Sequence, residues 1–282
     1  MKNFVLFISI VFLVSCKKET GSDNKPLAAQ TIINVAYGND AEQKMDVYLP
    51  AGRSTDSTKL IVLVHGGAWV SGDKADFAKY IPSLQQRLPN YAIANINYHL
   101  ATTAANHFPT QENDMKAAID FLLQKSVDYH ISQNFVLLGA SAGGHLAMLQ
   151  AYKYDAPKIK AVVDFYGPVD MADMYNSLAV PLYKTVIETL MNGTPASNAS
   201  LYQQSSPINF VSVQSPPTII LHGDADILVN PSQSVALKNK LQSLGVTNQL
   251  VVYPNQGHDI WPDNIMNDAF DKIETFLKAN VH

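Results

Sequence analysis

A single cysteine in 282 residues excludes any disulfide within the chain. Basic residues are not in excess. Twenty Lys and Arg stand against twenty-four Asp and Glu, for a formal net charge of −4. Nucleic acid is therefore not expected as a partner. No internal repeat or low-complexity segment interrupts the chain. The loop histidines His99 and His107 lack metal-ligand spacing relative to carboxylates and read as solvated or locally hydrogen-bonded. Neither a metal nor an organic cofactor is expected. The apolar run at residues 4–14 is too short to span a bilayer as a helix. The rest is ordinary: 47% hydrophobic and 16% charged residues, over a length that suits one large core.

A positive charge at Lys2 precedes the run at residues 4–14, as in export signals. The run closes on Leu13-Val14-Ser15-Cys16, which resembles a bacterial lipobox. The resemblance implies a lipoprotein signal peptide over residues 1–15 and lipidation at Cys16. It also implies export, with the N-terminal lipid holding the protein to a membrane at the periplasmic face or the cell surface. Several acyl chains on one residue anchor stably, since each buried methylene contributes about 0.8 kcal/mol. Residues 16–29 are polar and read as a flexible tether, so the folded domain is expected over 30–282.

Within that domain, residues 31–37 and 44–49 read as strands, the second with Met45, Val47 and Leu49 alternating against Asp46 and Tyr48. Residues 60–64 are apolar throughout, as expected of a strand buried on both faces of a parallel sheet. A helix is expected over 77–88, a strand over 91–97, and a helix over 110–125 behind Pro109. Further strands are expected over 135–138, 159–166, 217–221 and 248–253, and helices over 145–152, 231–244 and 263–279. This alternation means an α/β domain with a mostly parallel central sheet and helices on both faces. Residues 169–213 break the alternation with Met, Tyr, Asn, Ser and Pro, lack strand period, and look helical over 183–191. They read either as a small cap insertion that selects substrate or as a structural cover.

Gly139-Ala140-Ser141-Ala142-Gly143 matches G-x-S-x-G between an expected strand and an expected helix. That is the context of a nucleophile elbow, where small residues permit a strained turn that lifts the serine above the sheet. The helix N-terminus behind it favours a developing negative charge. A second signal is His65-Gly66-Gly67-Ala68-Trp69, directly after the strand at 60–64. Glycines there expose backbone N–H groups to an incoming oxygen. His65 reads as orienting this loop through hydrogen bonds, and Trp69 either lines the substrate pocket or packs the loop. Serine, carboxylate and histidine then follow in the order Ser141, Asp224 or Asp226, His258, each past the end of a different expected strand. Ligands of open α/β sheets sit at those carboxyl ends.

Nearly the whole of residues 30–280 resembles the α/β-hydrolase esterase/lipase superfamily. The His65-to-Trp69 and Gly139-to-His145 motifs resemble its acetyl-xylan and feruloyl esterase-like branch, and formamidases share much of the pattern. The resemblance to the HGGG-type loop implies an oxyanion hole made by the amides of Gly66, Gly67 and Ala142, with Ala68 replacing the third glycine. The family's H-G-x-x-D pattern, matched at His222 to Asp226, implies Asp226 as the acid, leaving Asp224 to bond the loop backbone. The expectation is then a serine carboxylesterase with Ser141, Asp226 and His258 as catalytic residues and Trp69 as a substrate contact. Its substrates would be small-molecule or glycan esters with short acyl groups, acetyl or feruloyl groups on plant polysaccharide among them. The alternatives are a formamidase or peptidase with the same three residues, and a non-catalytic hydrolase-fold binding protein. Oligomeric state is not encoded in any motif.

Overall fold

The computed structural model describes residues 26–154, 159–178 and 180–282. The expected signal peptide, Cys16 and the tether as far as residue 25 lie outside the described residues. In chain order the strands are β1 (Gln30–Ala36), β2 (Lys44–Leu49), β3 (Lys59–Val64), β4 (Tyr91–Ile96), β5 (Phe135–Ala140), β6 (Ile159–Phe165), β7 (Thr218–Gly223) and β8 (Asn248–Tyr253). They form one sheet in the order β1-β2-β4-β3-β5-β6-β7-β8. β1 and β2 pair antiparallel, β2 joins β4 antiparallel, and every later pairing is parallel. The expected mostly parallel sheet is therefore present.

The apolar runs explain the layering. Along β3, Leu60, Val62 and Val64 enter one core, while Ile61 and Leu63 enter another on the opposite face. β5 repeats this, with Phe135 and Leu137 on one side and Val136 and Leu138 on the other. Side chains of a strand alternate in direction, so a strand covered on both faces presents apolar side chains to each. The first face is covered by helices α2 (Thr110–Lys125), α3 (Ala142–Lys153) and α7 (Ser232–Ser243). The second is covered by α1 (Ile81–Arg87) and α8 (Asp263–Asn280).

Two expectations need correction. The single helix over 77–88 is instead a 3-10 segment, Lys74–Tyr80, followed by α1. The Asp73 side chain accepts from the Ala75 amide at 2.8 Å while Asp76 reaches back to the Asp73 amide, a capping box that starts the segment early. Pro82 in the first turn of α1 cannot extend the earlier hydrogen-bond ladder. The helix after the elbow starts at Ala142 and not at residue 145, so Gly143 and Gly144 are helical.

Between β6 and β7 lie α4 (Met171–Ser177), α5 (Pro181–Met191), α6 (Ala199–Gln204) and a 3-10 turn, Pro207–Phe210. Their buried Met171, Ile187, Leu190, Met191 and Tyr202 merge with the core over α3. Gln233 of α7 ties in the entry to α4, its Oε1 accepting from the amides of Val169 and Asp170 at 2.9 and 2.8 Å.

Candidate active site

Ser141 connects β5 to α3 with φ 54° and ψ −120°, a conformation that costs a non-glycine residue about 1–3 kcal/mol. Close backbone approach makes the turn possible. A Cβ on Gly143 would lie 2.0 Å from the Val64 carbonyl oxygen, and one on Gly139 would lie 2.2 Å from the backbone of Gly143. Neither obstruction is a side chain that could swing away. The Ser141 amide donates to the Phe165 carbonyl at 2.8 Å, which fastens the turn to the end of β6.

His258, in the loop after β8, has its Nε2 at 2.7 Å from Ser141 Oγ and its Nδ1 at 2.6 Å from Asp226 Oδ2. The carboxylate can only accept, so Nδ1 carries the hydrogen and Nε2 is left to receive the serine proton. Asp226 Oδ1 accepts from the amides of Leu228 and Val229 at 2.8 and 2.9 Å. Burial would raise the Asp226 carboxyl, but hydrogen bonds from His222 and His258 outweigh it and hold the group well below the usual carboxylate range. Asp224 stands apart and accepts from the Asn255 amide at 2.6 Å. The structure thus brings Ser141, Asp226 and His258 together from three separate loops.

The loop after β3 is locked from behind. His65 stacks on Tyr98 with ring centroids 4.2 Å apart and donates from Nδ1 to its neighbour's carbonyl, Gly66 O, at 2.7 Å. The Tyr98 hydroxyl donates to the carbonyls of His65 and Gly66 at 3.0 and 3.2 Å. Because a trans peptide points its C=O and N–H in opposite directions, holding Gly66 O fixes the direction of the Gly67 amide. Gly66, Gly67 and Ser141 all line one cavity. The Ala142 amide belongs to the first turn of α3, where N–H groups have no partner within the helix.

Trp69 also contributes to the cavity wall, yet its side chain is only 1% exposed and its indole N–H donates to His145 Nδ1 at 3.3 Å. His145 in turn donates from Nε2 to the Ser205 carbonyl at 2.6 Å. One neutral imidazole therefore links the loop after β3 to the end of α6. Burial pushes the His145 pKa down from 6.5 to about 4. The unfolded chain binds a proton here that the folded chain refuses, so stability falls as pH drops through that interval. We expect a loss of about 2 kcal/mol between pH 7 and pH 5 from this group. Thermal melts at both values would show it, and His145→Gln should remove that share of the slope. An unchanged slope in the variant would mean that His145 is not the group responsible.

The cavity has a volume of about 630 Å³. Phe77, Tyr80 and Phe270 form one wall, while Met174, Tyr183 and Ile187 of the segment between β6 and β7 form another. His258 and Ser141 sit on its floor. Among the described residues there is no cluster of three or more His, Cys, Asp or Glu able to hold a metal ion.

Residues 45–241 match the family model BD-FAE. The chain belongs to the BD-FAE family. The fold is that of the α/β-hydrolases. Among solved structures, the bifunctional GH43-CE protein of Bacteroides eggerthii is 27% identical, with a TM-score of 0.75 over 87% of this chain and 38% of its own. A truncated carbohydrate esterase from gut microbiota is 26% identical, with a TM-score of 0.71 over 89% of this chain and 98% of its own. Esterase LipQ of Mycobacterium tuberculosis is 28% identical over 251 residues, which are 82% of this chain and 57% of LipQ. The chain spans about half the length of the curated relatives it matches.

Two residues of this BD-FAE site escaped sequence reasoning. Tyr166 closes an expected strand, but its ring lies 4.7 Å from the His258 imidazole and lines the cavity. Nothing local distinguishes a tyrosine that closes a buried strand from one that flanks a site. His222 was visible only as the first letter of its motif, and it contacts Asp226 directly.

Proposed function

We propose that this chain is a serine carboxylesterase that hydrolyses short-acyl esters of small molecules or glycans, acetyl or feruloyl esters of plant polysaccharide among them. The observation that carries this reading is the pair of hydrogen bonds joining Ser141 Oγ to His258 and His258 to Asp226 at the floor of an open cavity. Ser141 attacks the ester carbonyl as His258 Nε2 takes its proton. Asp226 holds the imidazole in the required tautomer and stabilises the imidazolium. The amides of Gly66, Gly67 and Ala142 receive the oxyanion. His258 then protonates the departing alcohol, and water repeats the sequence on the acyl-enzyme. The names of the esterase relatives and of the carbohydrate esterase neighbour support this chemistry. The segment 169–213 acts as a cap that selects substrate, because it forms one wall of the cavity. Export and lipid anchoring through Cys16 complete the proposal and rest on the sequence of the first sixteen residues.

The test is hydrolysis of p-nitrophenyl acetate, butyrate and octanoate, beside an aminoacyl p-nitroanilide and labelling by a fluorophosphonate. Acetate and butyrate should turn over faster than octanoate and far faster than the anilide. A preference for the anilide would make the protein a peptidase. No turnover together with no labelling would leave the binding-protein reading.

A further inference from the structure

The acid of the site has a second histidine. His222, on β7, is fully buried, and its Nε2 lies 3.1 Å from Asp226 Oδ2 and 3.0 Å from the Val229 carbonyl. Both neighbours are acceptors, so Nε2 carries the hydrogen and shares it between them. Nδ1 is then an acceptor, and it receives the hydroxyl of Ser234 at 2.6 Å. Ser234 lies on α7 and is 1% exposed. Asp226 is thereby satisfied on all sides, with Oδ1 on the Leu228 and Val229 amides and Oδ2 shared by the two histidines.

We propose that His222 is a positioning residue for the proposed hydrolysis. Its Nε2–H fixes Asp226 Oδ2 in the orientation that receives His258 Nδ1–H, and Ser234 fixes the tautomer that makes this possible. The inference rests on the Ser141–His258–Asp226 reading. It adds a second shared proton on the oxygen that orients the base. His222 lies behind Asp226, outside the cavity wall, so it touches neither substrate nor the reacting atoms. An apolar residue of similar size could fill the space, but it would leave the Val229 carbonyl and half of Oδ2 unpaired in a buried setting.

Two consequences separate this role from plain packing. Loss of the donor lets Asp226 rotate, which lowers kcat and leaves KM alone. It also leaves His258 as the one partner of Oδ2, which makes His258 more basic. The acid limb of kcat/KM then moves to higher pH. The other titratable or charged groups around His258 are Tyr166 against its ring, Asp259 next in the chain, and Tyr80, Asp76 and Lys79 on the cavity wall. None of them contacts His222 among the hydrogen bonds described above, although the Tyr166 ring lies 6.3 Å from it.

The experiment compares the full chain with His222→Leu, His222→Gln and Ser234→Ala. It reads kcat and KM on p-nitrophenyl butyrate from pH 5 to 9, the rate of fluorophosphonate labelling, and thermal melts. His222→Leu should lose about thirtyfold in kcat with KM within twofold, and its acid limb should rise by about one pH unit. His222→Gln keeps an N–H donor and should recover to within about threefold of the parent, with Ser234→Ala in between. Equal kcat and equal acid limbs in the parent and His222→Leu would overturn the proposal. So would a glutamine variant as impaired as leucine. If His222→Leu does not fold, the order of Gln and Ser234→Ala decides in the same way. If the parent turns over no ester yet is labelled, the esterase reading falls. The labelling rates of the same variants then judge His222 alone.

Discussion

Ser141→Gly is expected to give a protein that is inactive and more stable than its parent. In the proposed reaction Oγ is the nucleophile, and without it His258 would have nothing to deprotonate. Removing the serine of a comparable catalytic group costs about six orders of magnitude in kcat, and residual turnover then comes from the oxyanion donors and binding alone. The stability gain has a separate origin. Ser141 sits at φ 54°, where a side chain clashes with its own backbone and glycine does not. Relief of that strain should raise stability by about 1 kcal/mol, seen as a rise of about 3 °C in the melting temperature. Ser141→Ala is the control: equally inactive, but without the relief. If Ser141→Gly melted below Ser141→Ala, the strain at the elbow would not be real. If Ser141→Gly kept ester hydrolysis, Ser141 would not be the nucleophile.

Gly143→Ala is expected to do the most damage to the fold for a single methyl group. The added Cβ would lie 2.0 Å from the Val64 carbonyl oxygen and 2.5 Å from that of His65. The first atom closes β3, a central strand paired on both sides, and the second belongs to the next residue, so neither can retreat without disturbing the sheet or the loop that leaves it. Relaxation must instead push α3 away from β3. Overpacking of this kind costs about 3 kcal/mol, or roughly 10 °C in a domain of this size. Activity should fall further than stability does, because the displacement moves the Ala142 amide and the Gly66–Gly67 loop apart. Circular-dichroism melts with parallel rates would show both effects. A variant with parental melting temperature and rate would mean that the elbow and the end of β3 are not in rigid contact.

These two glycine effects also explain where sequence reasoning succeeded and where it stopped. Apolar runs leading into glycine mark β3, β5 and β7, because a strand buried on both faces is mostly apolar and the site begins where the sheet ends. Ser141 stands out because it follows β5 inside G-x-S-x-G, whereas Asp226 rests on the H-G-x-x-D pattern after β7, and His258 on its place past β8, a half-exposed edge strand. The start of α3 was misjudged for the same reason that Gly143 matters. Glycine is a poor helix former by local propensity, and only the approach of β3 makes it obligatory. The early start at Lys74 needed the Asp73–Asp76 capping box, which the sequence carries but which competes with an uninterrupted apolar pattern, and the break after Tyr80 comes from Pro82. Trp69, His145 and Ser205 are linked by bonds spanning 76 and 60 residues, and no periodicity reports contacts of that range. His222 shows the same limit, because a buried strand histidine looks alike whether it merely fills space or holds a carboxylate.

The sheet has a front and a back, and the chain enters and leaves at the back. β1 starts at Gln30 opposite Leu49, level with the beginnings of the parallel strands. At the other end, the carbonyl of Val281 is held by Lys59 and that of His282 by Asn134, both at the starting edge of the same sheet. Six residues of strand, about 20 Å, separate this edge from Ser141. A leash tied to either end therefore grips the protein from behind and leaves the cavity mouth facing away from whatever holds it. An insoluble polymer could be met head-on from such a mounting, whereas a ligand embedded in the mounting surface would be out of reach without the protein turning over.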